Sequence, residues 1–442
     1  MKIGDDSVSS VDGVNIILNP VAMTEYVGLS KIRRAYACEI SSEINALFAL
    51  VGAGEGESGT DGIYASPRLV AHNGRVIAES PLFDLSLLYA DVDLDDKETQ
   101  FKPDVCENTV HPFPFVPEDL KERNEACSLA LEIQSRALAL RIERAYAKCV
   151  VLGVSGGLDS TLAVLVAAGA MDILGRSRRD VLAITMPCFG TTERTKNNAL
   201  ALAEELGCSV RTIDIKNAVN QHFADISHDK DCYDVVYENA QARERTQILM
   251  DVANAEGGLV VGTGDLSELA LGFATYNGDH MSMYCVNGSV PKTFMRTVIG
   301  YVAECALNDG NKRLSDVLFD VINTPVSPEL LPSENGENKQ HTESIVGPYE
   351  LHDFFLYYTV KYGYKPRKIL ELATSVFSEY KKEDIEKYLE VFIRRFFSQQ
   401  FKRSCMPDGP RVTEISLSPR SSWEMPSDVS FDIWRENIKT EG

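Results

Sequence analysis

The sequence has little positive charge. Its 442 residues carry 44 Lys and Arg against 65 Asp and Glu, which gives a formal net charge of −21. Binding to nucleic acid or to an anionic membrane needs clustered Lys and Arg, because these release the counterions of the partner. The interleaved basic and aromatic residues that bind single-stranded nucleic acid are missing too. We therefore expect neither a nucleic-acid partner nor a membrane partner.

Long apolar runs are also missing. No stretch approaches the roughly 18 residues that a membrane-spanning helix needs. The start, MKIGDDSVSS, has neither the basic nor the apolar region of a secretory signal. The ten cysteines stand singly, without the CxxC pairs of zinc sites or thioredoxin-type motifs. These absences predict a cytoplasmic protein whose thiols are reduced and partly buried.

The length suggests two or three domains, and the pattern changes near residue 110. Residues 1–110 are predicted to be rich in strands, with a helix from Ser30 to about Phe48 and a hairpin that turns at Asn73-Gly74. The stretch HPFPFVPEDL predicts a linker, because Pro fits poorly inside helices and central strands. A long amphipathic helix is expected from Glu118 to Tyr146.

Residues 111–442 are expected to form a second domain. Short apolar strands at 149–155, 180–187, 209–215 and 258–264 alternate with helical patterns. This order predicts an α/β domain with a doubly wound parallel sheet of about five strands, of the flavodoxin-like type, with helices on both faces. The C-terminal part is predicted to be mostly helical, and the polar segment 333–344 is predicted to be a surface loop.

The most informative segment is Ser155-Gly156-Gly157-Leu158-Asp159-Ser160, which follows an apolar strand and opens a helix. Two glycines allow a tight turn whose N–H groups can face one anion, and the helix N-terminus adds partial positive charge. The carboxylate of Asp159 would repel an anion bound in this loop, since two unit charges 4 Å apart interact by about 4 kcal/mol at an effective dielectric of 20. A helix terminus contributes only about 0.3–2 kcal/mol. A polyphosphate beside Asp159 therefore requires a divalent cation such as Mg²⁺.

The loop is not a Walker A motif, because the Lys of GxxxxGK[ST] is absent, and it does not fit GxGxxG. The form SGGxDS resembles the PP-loop of the ATP pyrophosphatases, which have an adenine nucleotide alpha hydrolase-like fold and split ATP between its α and β phosphates. On this motif alone, an ordinary Gly-rich turn between strand and helix stays open as the alternative.

Further segments show which family of ATP pyrophosphatases the chain resembles. They are MPCFGTTERTKNNA (186–199), ENAQARERTQ (238–247), GTGDLSELALGFATYNGDHMSMYCVNGSVPKT (262–293), GPYELHDFFLYY (347–358) and RRFFSQQFKRSCMPDGPRV (394–412). From about residue 113 to 430 the chain closely resembles NAD synthetases of the glutamine-dependent type. The resemblance implies that ATP adenylates the nicotinate carboxylate of deamido-NAD⁺ and that ammonia then displaces AMP to give NAD⁺. It also implies a homo-oligomer, because related synthetases bind the dinucleotide at a subunit interface.

The resemblance implies roles for individual residues. The residues expected to bind ATP are those of the loop from Ser155 to Ser160, together with Met186 and Thr263. The residues expected to bind Mg²⁺ are Asp159 and Glu268. The residues expected to bind deamido-NAD⁺ are Asn239, Glu268, Asp279 and Lys402. The expected catalytic residues are Asp159, Glu268 and Lys292.

Several of these residues have a purely structural alternative. Glu268 could be a first-turn acid that the helix dipole favours, and Lys292 could equally well lie at the surface. Lys402 and Arg403, with Arg394 and Arg395, could form a solvated helix face rather than a basic cluster near phosphates. Cys188 stands where the family usually has Gly, and we expect it to alter only the turn after the strand.

Residues 1–110 resemble the second half of the nitrilase-like glutaminase domain of the same family, through VNIILNPVAMTEYVG, AGEGESGTD and IAESPLFD. In that family a Glu, a Lys and a nucleophilic Cys hydrolyse glutamine, whereas Cys38 lies within a predicted helix. Met23 and Leu29 stand where the family has Ser and a basic residue that contact glutamine. We therefore expect this chain to use ammonia, or glutamine only through a complete glutaminase. Half a sandwich is also expected to leave an apolar sheet face without a partner.

Two other functions stay open. Another amidoligase with a PP-loop explains SGGLDS, but it does not explain GTGDLSE, GPYELHD or QQFKRS. A non-catalytic subunit that senses nucleotides is the second alternative. Against it, none of the recognisable synthetase motifs has lost a charged or phosphate-facing residue.

Overall fold

The computed structural model describes residues 13–57, 59–95, 110–191, 193–324, 330–331 and 346–439. The predicted surface loop at 333–344 lies outside these residues. The chain divides into two compact units, residues 1–109 and 110–442. Within the described residues, no helix combines the length and the apolar character needed to cross a membrane.

The described residues of the first unit form one four-stranded sheet and one helix. The strands are β1 (Ile16–Val21), β2 (Leu47–Gly52), β3 (Arg68–His72) and β4 (Arg75–Glu79), and the helix is α1 (Leu29–Glu43). The sheet order is β1-β2-β3-β4. Strands β1 and β2 are parallel and the other neighbours are antiparallel.

The hairpin prediction is confirmed. Asn73 and Gly74 connect β3 to β4 with positive φ angles of 52° and 77°, as a type I′ turn requires. The helix predicted from Ser30 to about Phe48 is correct at its start but too long. In the structure α1 ends at Glu43, and Phe48 lies in β2. A short apolar run such as LFALVG does not distinguish helix from strand by its period.

The sheet of the first unit buries one face and exposes the other. Phe48 and Leu50 of β2 are buried in a cluster with Ala37 of α1. On the other face Leu18 of β1 is 75% exposed and Val51 of β2 is 54% exposed. The described residues therefore include the exposed apolar face that the sequence predicts.

The second unit contains the predicted alternation of strands and helices. Its elements are α2 (Leu120–Arg144), β5 (Val150–Gly153), α3 (Leu158–Ile173), β6 (Val181–Thr185), α4 (Glu193–Glu205), β7 (Ser209–Thr212), α5 (Lys216–Asp225), α6 (Val235–Glu256), β8 (Leu259–Gly262), α7 (Leu266–Leu271), β9 (Tyr284–Cys285), α8 (Lys292–Asn308), α9 (Lys312–Ile322), α10 (Tyr349–Val360), α11 (Pro366–Val376), α12 (Lys382–Ser398), α13 (Gln400–Arg403) and α14 (Asp432–Lys439).

The five strands that the structure describes in this unit are all parallel, in the order β7-β6-β5-β8-β9. The doubly wound parallel sheet is confirmed. The expected flavodoxin-like type is wrong, because the strands of this unit, counted along the chain, lie in the order 3-2-1-4-5 rather than 2-1-3-4-5. Alternation of strands and helices is the same in both orders and cannot distinguish them. The order reverses between β5 and β8, where doubly wound sheets bind ligands at their carboxyl ends.

Helices cover both faces of this sheet. Helices α5 and α6 share one hydrophobic cluster with the strands, which includes Ile184, Phe223 and Tyr237. On the other side α3 packs against α2, α4, α8 and α9. The C-terminal helices pack mainly on one another through aromatic rings, as between Phe355 of α10 and Phe392 of α12. This packing positions the ends of β5 and β8, which carry the candidate site.

Candidate active site at the carboxyl ends of the strands

The loop from Ser155 to Ser160 connects β5 to α3, as the sequence predicts. Gly156 has a φ of +84°, and a Cβ atom there would lie 2.1 Å from the backbone oxygen of Thr195. Only glycine fits this position, because both the left-handed conformation and the close approach exclude a side chain. Gly157 is the N-cap of α3, so the loop leads directly into a helix N-terminus.

Two hydroxyl groups hold the loop in this shape. The backbone N–H of Ser155 donates to Ser160 Oγ at 3.2 Å, and the two serine hydroxyls lie 3.2 Å apart. Gly157 N–H donates to Ser155 Oγ, also at 3.2 Å. The loop is thus fixed before any ligand binds, which reduces the ordering cost of binding an anion.

Three carboxyl groups converge beside this loop. Ligand oxygens of Asp159, Asp265 and Glu268 all lie within 4.8 Å of one another. Asp159 is in the first turn of α3. Asp265 caps α7, because its side chain accepts the N–H of Glu268 at 2.8 Å, and Glu268 follows in the first turn. Glu268 is therefore an acidic residue in the first turn of α7, as the structural alternative predicts. It also belongs to the cluster of carboxyl groups.

Asp265 is a member of the cluster that the sequence analysis missed. The signal was available, since Asp265 and Glu268 form a D-x-x-E pattern typical of a helix start after a strand. Asp265 is completely buried, and burial raises its pKa well above the ordinary range, opposed mainly by Lys292. Burial likewise raises the pKa of Glu268, to about 7.

Lys292, the first residue of α8, points its ammonium group into this cluster. Its Nζ lies 2.6 Å from Asp159 Oδ1 and 3.2 Å from Glu268 Oε1, and it also pairs with Asp265. The residue is only 2% exposed, so the surface alternative is excluded. Burial by itself lowers its pKa, but the three carboxylates outweigh burial and hold the pKa well above its usual value.

The donor set of the cluster fits Mg²⁺. Carboxylate oxygens from one compact group are the ligands that this hard cation prefers. Three carboxyl groups share one ammonium group, so their full ionisation leaves an excess of negative charge, which a divalent cation would offset. Their position next to a loop that suits phosphate also matches Mg²⁺, which commonly binds one or two carboxylates together with substrate phosphates.

A buried amide group connects the segment that follows β5 to the segment that follows β8, the two strands between which the strand order reverses. Asn287 Nδ2 donates to the backbone oxygens of Asp159, at 3.0 Å, and Thr263, at 3.1 Å. Gln134 of α2 donates in turn to Asn287 Oδ1 at 3.0 Å. Sequence reasoning missed both residues, because 128 positions separate Asn287 from Asp159.

A cleft of ≈ 1020 Å³ opens at this end of the sheet. Most of the predicted site residues line it, whereas Gly156 and Lys292 do not. The lining residues among them are Ser155, Gly157, Leu158, Asp159, Ser160, Met186, Asn239, Thr263, Glu268, Asp279 and Lys402. Four arginines also line the cleft: Arg194, Arg243, Arg245 and Arg395. The sequence analysis did not consider the first three. It considered Arg395 as part of either a solvated helix face or a basic cluster near phosphates.

The residues predicted to bind the dinucleotide surround one segment of the cleft wall. Asn239 Oδ1 accepts the Thr275 hydroxyl at 2.8 Å, and Asp279 accepts the Thr275 N–H at 2.7 Å. Lys402 Nζ donates to the backbone oxygens of Gly272 and Ala274 at 2.7 and 2.6 Å. Burial lowers the pKa of Lys402, with a further contribution from Arg395.

Arg403 differs from both sequence interpretations. It is 0% exposed and donates to the backbone oxygens of Leu269 and Ala270, both at 3.0 Å. It therefore binds the end of α7 and lies neither on a solvated helix face nor in a basic cluster near phosphates. Burial lowers its pKa to about 9, so the guanidinium remains charged at pH 7.

Cys188 lies in the turn to which the sequence analysis assigns it. It is buried after β6, and its N–H donates to Thr191 Oγ1 at 3.1 Å. It is not among the described residues with a positive φ, so the turn does not need the family's glycine.

In the first unit, Met23 and Leu29 pack in one small apolar cluster with Tyr26. Cys38 lies in α1, and burial raises the pKa of its thiol. A nucleophilic cysteine needs the opposite, a lowered pKa. Cys38 therefore lies within a helix, as the sequence predicts, and its environment disfavours the reactive thiolate.

Comparison with known proteins gives a consistent result. A family model described as NAD synthase matches residues 131–372. The glutamine-dependent NAD(+) synthetase of Mycobacterium leprae is 36% identical over 490 residues, covering 98% of this chain and 72% of that relative. The relative of the same name from Synechocystis is 27% identical and covers 95% of this chain and 67% of that protein.

A solved structure shows the same fold over nearly the whole chain. It is the glutamine-dependent NAD(+) synthetase of Cytophaga hutchinsonii, with a TM-score of 0.73 at 18% identity. The similarity covers 97% of this chain and 71% of that one. At this sequence identity the comparison supports only the fold, including the nitrilase-like fold of the first unit.

Proposed function

The chain belongs to the NAD synthase family, and from this membership we propose that it converts deamido-NAD⁺ to NAD⁺ with ATP and with ammonia as the direct nucleophile. Members are ligases. The observation that carries the proposal is the cluster of Asp159, Asp265, Glu268 and Lys292 beside the loop from Ser155 to Ser160. Such a cluster suits the binding of magnesium and polyphosphate at a switch point.

The first step activates a carboxylate, which is a poor electrophile. An oxygen of the nicotinate carboxylate attacks the α-phosphorus of ATP, the bond to the β-phosphate oxygen breaks, and pyrophosphate leaves. The preformed loop and the N-terminus of α3 bind the phosphates and offset charge that develops on them. Asp159 and Glu268, with Asp265, would hold Mg²⁺, which would supply further positive charge to offset that of the phosphates.

The second step forms the amide. The nitrogen of ammonia attacks the acyl carbon, the bond from that carbon to the AMP oxygen breaks, AMP leaves and a proton passes to solvent. Asn239, Asp279 and Lys402 orient the dinucleotide along the wall formed by residues 272–279. Positioning of this kind converts a bimolecular attack into an effectively unimolecular one.

The proposal also includes a homo-oligomer and the cytoplasmic location expected from the sequence. The alternative of another amidoligase does not account for the family match. The alternative of a nucleotide sensor does not account for a complete cluster of carboxylates with Lys292. Analytical ultracentrifugation of the purified chain tests the oligomer.

The test of the reaction supplies ATP, Mg²⁺, ammonium chloride and deamido-NAD⁺ and measures NAD⁺, AMP and pyrophosphate. We expect the three products in equal amounts and only with deamido-NAD⁺ present. Pyrophosphate release without deamido-NAD⁺ would favour another amidoligase, and ATP binding without turnover would favour a sensor. A parallel reaction with glutamine in place of ammonium is expected to give no glutamate, and glutamate release matching NAD⁺ formation would contradict the choice of ammonia.

A further inference from the structure

The N-terminus of α8 carries Lys292 but has no cap of its own. Pro291 occupies the N-cap position and contributes no side-chain hydrogen bond. The first N–H groups of a helix have no partner within the helix and need one from elsewhere. Here two other helices supply these partners.

Asp353 of α10 is the main partner. It is buried, and its Oδ2 accepts the N–H of Thr293 at 2.9 Å and the Thr293 hydroxyl at 2.6 Å. Its Oδ1 accepts the hydroxyl of Ser267. Ser267 Oγ in turn accepts the N–H of Lys292 at 2.8 Å. One carboxylate thus ties together the start of α8 and a residue of α7.

Both helices that Asp353 connects carry members of the acidic cluster. Ser267 is adjacent to Glu268, and Thr293 is adjacent to Lys292. Tyr349 lies one helical turn before Asp353 in α10, and its ring centre is 5.2 Å from Lys292 Nζ. The same face of α10 therefore binds the backbone of Thr293, next to Lys292, and packs against the Lys292 ammonium group.

We propose that Asp353 is a positioning residue for the synthetase reaction. It caps α8 from another helix, and through Thr293 and Ser267 it holds Lys292 and Glu268 at their positions in the acidic cluster. This inference rests on the proposed function. A negative charge at a helix N-terminus also stabilises that terminus. Loss of the charge should therefore let Lys292 move away from Asp159 without removing any group that touches a substrate.

The test compares Asp353→Asn with His352→Gln, a control at the neighbouring buried position whose side chain contacts Val346 O instead. Asp353→Asn is expected to lower kcat for NAD⁺ formation by about 10- to 100-fold, as losses of outer supporting groups do. The KM values for ATP and deamido-NAD⁺ should stay within about threefold, because Asp353 does not line the cleft. His352→Gln should stay within twofold at pH 8.

A second readout does not need catalysis. Reductive methylation with mass spectrometry reports whether the Lys292 amine is accessible. Modification of Lys292 should be slow in the unaltered chain, at least tenfold faster in Asp353→Asn, and unchanged in His352→Gln. If Asp353→Asn does not fold, Ser267→Ala removes one leg of the same network and should give a smaller change of the same kind.

The outcomes separate the two proposals. If the unaltered chain makes no NAD⁺ but Asp353→Asn still exposes Lys292, the proposed function is wrong and the positioning by Asp353 stands. If NAD⁺ forms and neither kcat nor Lys292 modification changes in Asp353→Asn or Ser267→Ala, the role of Asp353 is wrong. Equal effects of Asp353→Asn and His352→Gln would contradict a specific role for Asp353, because any change in α10 would then have the same result.

Discussion

Lys292 Nζ lies 2.6 Å from Asp159 Oδ1, although 133 positions separate the two residues in the chain. This contact joins the start of α8 to the first turn of α3 across the point where the strand order reverses. Because Asp265 and Glu268 share the same ammonium group, the cluster is held together before any nucleotide arrives. Its charge excess then favours a divalent cation brought in with the phosphates.

Asp159→Asn should abolish adenylation, with a loss of at least about 10³-fold in pyrophosphate release. The amide keeps the shape of the side chain but loses the charge that pairs with Lys292 and suits Mg²⁺. Asp172→Asn, at the far end of α3 where Asp172 pairs with Arg178, is the matched control and should retain activity. Unchanged activity and Mg²⁺ dependence in Asp159→Asn would contradict the metal assignment.

Gly156→Ala should inactivate the chain, because the new methyl group meets a backbone oxygen of Thr195 that cannot move freely. Gly175→Ala introduces the same strain at a φ of +62° in open space. It should cost about 1 kcal/mol of stability and leave kcat unchanged. Steady-state kinetics and urea denaturation of both variants check this, and equal kinetic effects would show that strain alone matters.

Arg403→Met should lower the free energy of unfolding by at least about 3 kcal/mol. The substitution removes the guanidinium donors that bind the carbonyl oxygens of Leu269 and Ala270 at the end of α7. Arg367→Met removes a half-exposed arginine that pairs with Glu371 and should cost less than about 1 kcal/mol. Urea denaturation of unit 2 measures both. A small loss in Arg403→Met would mean that Arg403 does not hold α7.

The stability of the second unit should depend on His352 in mild acid. Burial lowers the pKa of His352 to about 4, from an ordinary value of 6.5. The unfolded chain therefore takes up a proton as the pH falls below 6.5, whereas the folded chain does not until about pH 4. Stability that is present above pH 6.5 is lost in this range.

Urea denaturation at pH 7.5 and 5.5 checks this prediction. The unaltered chain should lose about 1 kcal/mol more than His352→Gln between the two values. Burial raises the pKa of the neighbouring Asp353 to about 6, with the opposite effect on stability. Both proteins contain Asp353, so its contribution cancels in the difference. Parallel losses in the two proteins would contradict a neutral, buried His352.

The sequence was most informative where a local pattern determines local structure. The loop from Ser155 to Ser160 and the turn at Asn73-Gly74 follow from glycine positions, and the strands follow from short apolar runs. The strand order, the burial of Arg403 and the partners of Lys292 and Asp353 depend on contacts between distant segments. No pattern within one segment contains that information. Asp265 is different, because its D-x-x-E capping pattern with Glu268 lies within one segment of the sequence.

The most direct measurement is the structure of the chain crystallised with Mg²⁺, deamido-NAD⁺ and an ATP analogue that carries a methylene group between its α and β phosphates. The account predicts the triphosphate against residues 155–160, with the metal bound by Asp159 and Glu268. A triphosphate bound away from that loop, or a metal without either carboxylate, would contradict it.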